Sequence, residues 1–247
     1  MAVWVVIPSA DPVKASAASN AWDAMGYEVC LGMPKMMLLA ASSLMYYELF
    51  HDVPDPWPGY PSVVNEMLKL IMRADENCQV AVAAADDMFP DPTKTADVIE
   101  REFMKRFEAW DEHIAAFMSF FGTRVDLGAM EGYLVMQPCG DTWMEHAASR
   151  ICGSPWISRA WAMRGYGGRG AFWPEYSHFY ADEELWNVAN DHGFLWLRPD
   201  LEQRHDHWTR LNQDRPAYME AKCAGWDRDK AMFQQRREAK FLGWDPV

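Results

Sequence analysis

The sequence predicts a single α/β domain built on a mostly parallel central sheet. Three observations carry this. Two short apolar runs, VWVVIP at 3–8 and QVAVAAA at 79–85, have the composition of strands buried on both faces. Helix-forming stretches lie between and after them. The length, 247 residues, suits one core, because α/β domains of this size routinely stay undivided.

The first run ends at Pro8 and is followed by Ser9. Asp11 is placed to cap an alanine-rich helix, Pro12 suits its first turn, and Gly26 closes it before a second apolar stretch, YEVCLG, completing a βαβ opening. Residues 34–50 are apolar and Met-rich, and they read as a buried helix or packed loop. The segment VPDPWPGYP at 53–61 cannot be regular, whereas 62–73 resumes helical spacing through Val63, Met67, Leu68 and Ile71. The second core strand, QVAVAAA, stops at Asp86 and Asp87. In open α/β sheets ligands collect outside the carboxyl ends of strands, so these acids should face the same cleft as Pro8 and Ser9. An amphipathic helix is expected over 94–118, another near 182–192, and an Arg-rich helical tail after that. Residues 132–180 are irregular clusters of Gly, Trp and Tyr, and no internal repeat or low-complexity tract interrupts the chain.

Composition narrows the function classes. Half the residues are apolar and the charged share is ordinary, as in a folded globular protein. Most of the 13 Trp and 17 Met should be core. The five Cys are odd in number, scattered and without a CxxC pair, which fits neither a disulfide framework nor a zinc ribbon and points to a reducing cytoplasm. The N-terminus lacks a signal peptide's pattern, and no run approaches the ~20 apolar residues of a membrane span, so a soluble protein without membrane contact is expected. A formal net charge of -13 opposes general nucleic-acid binding. All the excess acid lies in residues 1–149, however, and residues 150–247 balance to zero, which leaves room for a locally basic surface there.

Four constellations could carry chemistry. Asp86 and Asp87 offer oxygen ligands to Mg²⁺ or Mn²⁺, a cation that could neutralise a diphosphate; the competing reading is a turn that caps the next helix. His205 and His207, in RPDLEQRHDHW, would suit a mixed carboxylate and imidazole site for Mn²⁺, or else form a surface pair. Asp182, opening a helix with Glu183 and Glu184, could deprotonate a hydroxyl in the cleft or simply cap the helix. The stretch from Gly165 to Gly170 lacks the Lys-Ser/Thr of a phosphate loop and reads as a mobile loop over a substrate.

In this order the pieces resemble the family-2-like GT-A glycosyltransferases, and more narrowly their bacteriophage-type members, across most of the chain. VVIPS is similar to the family's first strand, whose Pro-Ser loop, here Pro8 and Ser9, meets the nucleotide. PGYPSVVNEML resembles the stretch that places an Asn, here Asn65, near the donor. AAADDMFPDP resembles the DxD strand end, with Ala85 in place of the first Asp, Asp87 at the metal-ligand position and Asp86 as its neighbour. ADEEL resembles the ExDxxL-like element, with Asp182 at the position of the base and Ala181 in place of the preceding acid. RHDHW resembles the C-terminal His element, which selects His205 and His207 without deciding between them.

The resemblance implies a Rossmann-like GT-A domain over 1–247, with a nucleotide-sugar part at 1–125 and an acceptor-side part with a helical tail at 126–247. It implies an inverting hexosyltransferase using Mn²⁺ or Mg²⁺ and a UDP-sugar, UDP-glucose foremost, with Asp182 taking the acceptor proton. Trp156, Arg159, Arg169 and Trp173 would lie at the acceptor side, where rings stack and Arg contacts phosphate. The phage-like character suggests a 5-hydroxymethylpyrimidine acceptor in DNA and a host-cytoplasm location. The acidic charge favours instead a glycan, lipid-linked or small-molecule acceptor. Ala85 and Ala181 argue for a catalytically inactive binding or structural protein, and DD with HDH could also house the two metals of a phosphohydrolase.

Overall fold

A computed structural model of the chain describes residues 2–41, 46–121, 132–140, 150–214 and 217–244. Its first half is wound as the sequence predicts. Strand β1 (Trp4–Pro8) runs parallel to β2 (Glu28–Met33), and helix α1 (Pro12–Ala24) crosses between them. The Asp11 carboxylate accepts from the backbone N–H groups of Val13 and Lys14, satisfying two donors that a helix start leaves without partners. On the other side of β1 lies β4 (Val80–Ala83), also parallel.

Among the described residues the sheet has seven strands. Beyond β2 comes the edge strand β3 (Leu49–Asp52), and beyond β4 come β7 (Trp156–Ser158), β6 (Val135–Pro138) and β8 (Leu195–Arg198). All pairings are parallel except the two made by β7. Alternating strand residues feed two cores. Val5 and Ile7 face α1 and α4 (Ala96–Phe121), through Ala15, Trp22, Ile99 and Phe103. Val6 faces α3 (Tyr60–Ala74), through Val63, Met67 and Ile71, together with Trp161 of α5 (Arg159–Gly168) and Leu185 of α6 (Ala181–Asp191). Helices α7 (Ala217–Cys223) and α8 (Trp226–Glu238) complete the C-terminal part.

Some expectations need correction. The described part of 34–50 is only partly buried: α2 (Lys35–Ala41) seats Leu38 in the core but leaves Met36 and Leu39 mostly exposed, and β3 is a four-residue strand too short to register as a pattern. The division placed at 125 and 126 falls in residues 122–131, outside the described residues. The glycine stretch is also not an open loop. Gly170 N–H donates to Gly165 O at 3.1 Å, and the Lys69 ammonium donates to the carbonyls of Gly168 and Arg169 at 2.7 and 2.8 Å, which pins the stretch to α3. Among the described residues, no helix is long and apolar enough to cross a membrane.

Gly170 has φ +136°, and a Cβ there would collide with the Asn65 amide. Gly170→Ala should therefore destabilise the fold by about 1–3 kcal/mol from backbone strain alone. Urea unfolding against the wild type checks this, and an unchanged midpoint would contradict it.

Candidate functional site

The candidate site lies where β1 and β4 end side by side. Ser9 follows β1 and its hydroxyl donates to Asp86 Oδ2 at 2.6 Å, while accepting from the Asp11 N–H at 2.9 Å. Both groups are there because β1 and β4 are parallel neighbours. Burial pushes the Asp86 carboxyl up to about 6; the Ser9 hydrogen bond opposes the shift and the charge of Asp87 adds to it.

Asp87 behaves differently, and the cause is a second, two-stranded sheet. Strand β5 (Met88–Phe89) pairs antiparallel with β9 (Arg204–His205), placing Met88 opposite His205. The Asp206 N–H donates to Asp87 O at 2.7 Å and extends the pairing into the turn. His205 Nε2 thereby stands 3.4 Å from Asp87 Oδ2. Burial would raise the Asp87 carboxyl, but the hydrogen bond and charge of His205, together with the charges of Lys14 and His207, outweigh it, so the group is held below the usual aspartate range. The His207 ring lies 5.3 Å from that of His205, with Nδ1 2.7 Å from Thr209 Oγ1. The Trp22 indole donates to Met88 O at 2.9 Å, tying this small sheet to α1.

Asp182 lies in the first turn of α6. Burial raises its carboxyl, while the N–H groups of Glu183 and of Asp182 itself and the charge of His205 work against the rise. Its backbone carbonyl accepts from Cys152 N–H at 3.1 Å. Asp182 is not the N-cap, a place taken by Tyr180 without a side-chain cap bond; its Oδ1 accepts from Glu183 N–H at 3.0 Å. Tyr60 links this carboxylate to the strand end: its hydroxyl donates to Ala84 O at 3.1 Å, and the charges of Asp182 and Asp87 both act on it. Ser9 thus meets Asp86, His205 meets Asp87 and lies edge-on to His207, and the charges of Asp182 and His205 act on one another.

Several residues of the candidate site gave no sequence signal. Tyr60 sits in a stretch read as irregular. His178, half-buried against the edge of Tyr60, is lowered to about 3 mainly by burial and so stays neutral; its Nδ1 is buried without a hydrogen-bond partner. Lys222, on α7, is lowered by burial, with the charges of Asp86 and Asp87 opposing. Lys14 also acts electrostatically on both aspartates.

Other expected site residues belong elsewhere. Asn65 is buried, and its amide clamps the Phe172 backbone, donating to the carbonyl at 2.7 Å and accepting from the N–H at 2.9 Å. Trp156 is fully buried and donates to Gln203 Oε1 at 2.7 Å. Arg159 donates to the carbonyls of Met72, Asp75 and Cys78, and its own N–H bonds Gln79 O, so it staples the N-terminal end of β4, opposite the candidate site. Arg169 pairs with Glu175 at 2.9 Å and lies 4.3 Å from the centre of the Trp173 ring, over which Arg236 lies at 3.6 Å. Asn65, Trp156 and Arg159 thus have packing roles, whereas Arg169 lies at the surface and Trp173 is half-buried. Sequence spacing could not separate them from acceptor contacts, because the same rings and guanidinium groups serve both.

A divalent cation would find a carboxylate and an imidazole side by side in Asp87 and His205, a donor set that fits Mn²⁺ or Mg²⁺ if ligand oxygens complete the shell. Among the described residues, no group of three or more His, Cys, Asp or Glu is arranged to enclose one.

No family profile matches the chain, and no curated protein matches it. Among solved structures it is similar to residues 1–349 of Staphylococcus aureus TarS, at 9% identity and TM-score 0.46, with 82% of this chain and 59% of that one covered. It is also similar to a glycosyltransferase involved in glycosylation of the major capsid of PBCV-1, at 8% identity and TM-score 0.31, covering 66% of this chain and 62% of that one. The chain therefore spans less than two thirds of either protein's length, and no chemistry follows from likenesses this distant.

If Asn65 is a packing clamp, Asn65→Ala should lower unfolding free energy by about 2–4 kcal/mol, the desolvation of two orphaned backbone groups. A donor-binding role would instead leave the melting temperature in place and weaken nucleotide affinity, so a thermal melt beside a calorimetric titration separates them.

Proposed function

We propose that the chain is a metal-dependent, inverting glycosyltransferase that moves a hexose from a UDP-sugar, UDP-glucose foremost, to a hydroxyl acceptor. One observation supports the reading: a carboxylate and imidazole pair, Asp87 with His205, lies within electrostatic reach of a partly buried carboxylate, Asp182, whose proton affinity is raised. The pair suits a diphosphate-bound cation and the lone acid suits a base, which is the division of labour that transfer requires.

In this reading Asp87 and His205 hold Mn²⁺ or Mg²⁺. When bound, the cation supplies positive charge against the diphosphate. Lys222 and Lys14 interact electrostatically with the same carboxylates. The Asp182 carboxylate takes the acceptor's hydroxyl proton as that oxygen attacks the anomeric carbon. The bond from that carbon to the diphosphate oxygen breaks, its electron pair leaves with the nucleotide, and attack from the opposite face inverts the centre. A carboxylate with raised proton affinity is a stronger base than an exposed aspartate.

The acceptor is best read as a glycan or small molecule. Arg159 and Arg169, the cations that would have met DNA phosphate, are engaged within the chain. Incubation with Mn²⁺ and a panel of nucleotide sugars should release nucleotide, chelation should stop release, and hydroxymethylated DNA should accept no better than plain DNA. Sugar on hydroxymethylated DNA would overturn the acceptor choice, and no release from any donor would overturn the function.

Asp87→Ala should abolish metal-dependent donor binding while the fold survives, because the residue lies in a turn outside the core; calorimetry in Mn²⁺ checks this. Asp182→Asn should keep donor binding and lose roughly 10²- to 10⁴-fold in kcat. In the wild type, kcat should fall as pH drops through a pKa above the ordinary aspartate range, since protonation removes the base, and Asp182→Asn should flatten that acidic limb. An Asp182→Asn enzyme with wild-type turnover would sink the mechanism.

A further inference from the structure

The carboxylate assigned as base is carried by an awkward piece of chain. The segment 177–180 reaches it without regular structure, and Tyr180, immediately before α6, has φ 69°, a left-handed conformation that a Tyr adopts only when its surroundings enforce it. What surrounds it is one face of α8. Trp226, Asp229, Phe233 and Arg236 are spaced three, four and three residues apart, so they line a single stripe of the helix.

That stripe grips the chain on both sides of Asp182. Asp229 is fully buried, and its carboxylate accepts from the N–H groups of Ser177 at 3.1 Å, His178 at 3.0 Å and Phe179 at 3.1 Å, and from the Ser177 hydroxyl at 2.7 Å. Consecutive N–H groups converging on one carboxylate fix the local backbone, because each is a partly buried donor that the carboxylate satisfies. The Tyr180 ring stacks on Phe233 at 5.2 Å and meets Trp226 at 5.3 Å. Two residues past Asp182, Glu184 is fully buried and forms a bidentate pair with Arg236, with contacts of 2.6 and 2.8 Å. Asp182 therefore sits between two anchors that belong to the same helix.

We propose that Asp229 is a positioning residue for transfer: by holding the backbone of 177–179 from α8, it sets where the Asp182 carboxylate stands relative to the acceptor. This rests on reading Asp182 as the base. Asp229 touches neither Asp87 nor His205, the proposed donor-side pair, so its contribution falls on the chemical step and not on donor affinity.

The test uses the full chain as wild type, Asp229→Asn, Ser177→Ala and, as a control on an exposed neighbour, Asp227→Asn. Asn keeps the size of Asp but turns an N–H₂ toward the convergent donors, so the clamp loses acceptors. Amide hydrogen exchange should accelerate in peptides covering 177–183 and not elsewhere. The kcat for transfer should fall about 10- to 100-fold, the scale of a catalytic group displaced by an ångström, with UDP-glucose affinity in Mn²⁺ unchanged. Asp227→Asn should match the wild type throughout. Unchanged exchange at 177–183, faster exchange across the whole chain, or a loosened segment with full kcat would each overturn the proposal, as would loss of donor affinity in step with kcat. If Asp229→Asn does not fold, Ser177→Ala, which removes a single contact of the clamp, is held to the same outcomes on a smaller scale. A wild type that turns over no donor would defeat the glycosyltransferase reading itself, while the exchange measurement still decides whether Asp229 holds the segment.

Discussion

The short pairing of β5 with β9 sets where His205 stands relative to Asp87, the central contact of the candidate site. The backbone bond from Asp206 to Asp87 O fixes the turn itself, so the carboxylate and the imidazole meet through paired main chain and not through two flexible side chains finding each other. Geometry held by a ladder loses little side-chain entropy, which is why such a contact can be well defined. The same ladder explains why adjacent aspartates differ. Asp86 faces Ser9 and feels mainly burial, whereas Asp87 faces an imidazole.

The second organising feature is the burial of charge on the C-terminal side. Glu184 and Asp229 are both fully buried, and each has several donors: Arg236 and the Tyr176 hydroxyl for the first, backbone N–H groups and Ser177 for the second. A buried carboxylate with a full set of partners adds modest net stability, but taking away one partner costs about 3–5 kcal/mol, so such groups specify one arrangement sharply. Arg236 also lies over Trp173, and Trp226 and Phe233 pack on Tyr180. Trp173, Tyr176 and Tyr180 are thus walling for buried polar groups, while Trp161 and Phe172 belong to the core.

The predicted helices and strands of the first half stand because their signals are local. An Asp cap followed by Pro, a β-branched run ended by Pro8, and apolar spacing through Val63, Met67 and Ile71 each act within one or two turns of chain. The stretch 34–50 misled because Met and Leu have the same composition in an exposed helix as in a buried one, and periodicity over seven residues of α2 is too short to tell which face meets the core. Helix α8 hid its role for the opposite reason. Its buried face includes an aspartate, and an Arg on the same stripe pairs with a buried Glu, so no apolar stripe marked that face as inward.

By itself the sequence determined the α/β class, the parallel opening of the sheet, and the strand ends at which Ser9, Asp86 and Asp87 stand, because strand and cap chemistry act on near neighbours. It also marked His205, His207 and Asp182 as candidates by residue type alone. Only the tertiary structure decided which of these meet. Whether Asn65, Trp156 and Arg159 face a ligand or a neighbouring backbone depends on contacts between elements distant in the chain, and nothing in local spacing encodes them. The amide of Asn65 could have met a nucleotide as readily as it meets Phe172; burial between α3 and the segment after α5 left it the second partner, because a buried backbone N–H and C=O must be satisfied by whatever the fold brings within reach.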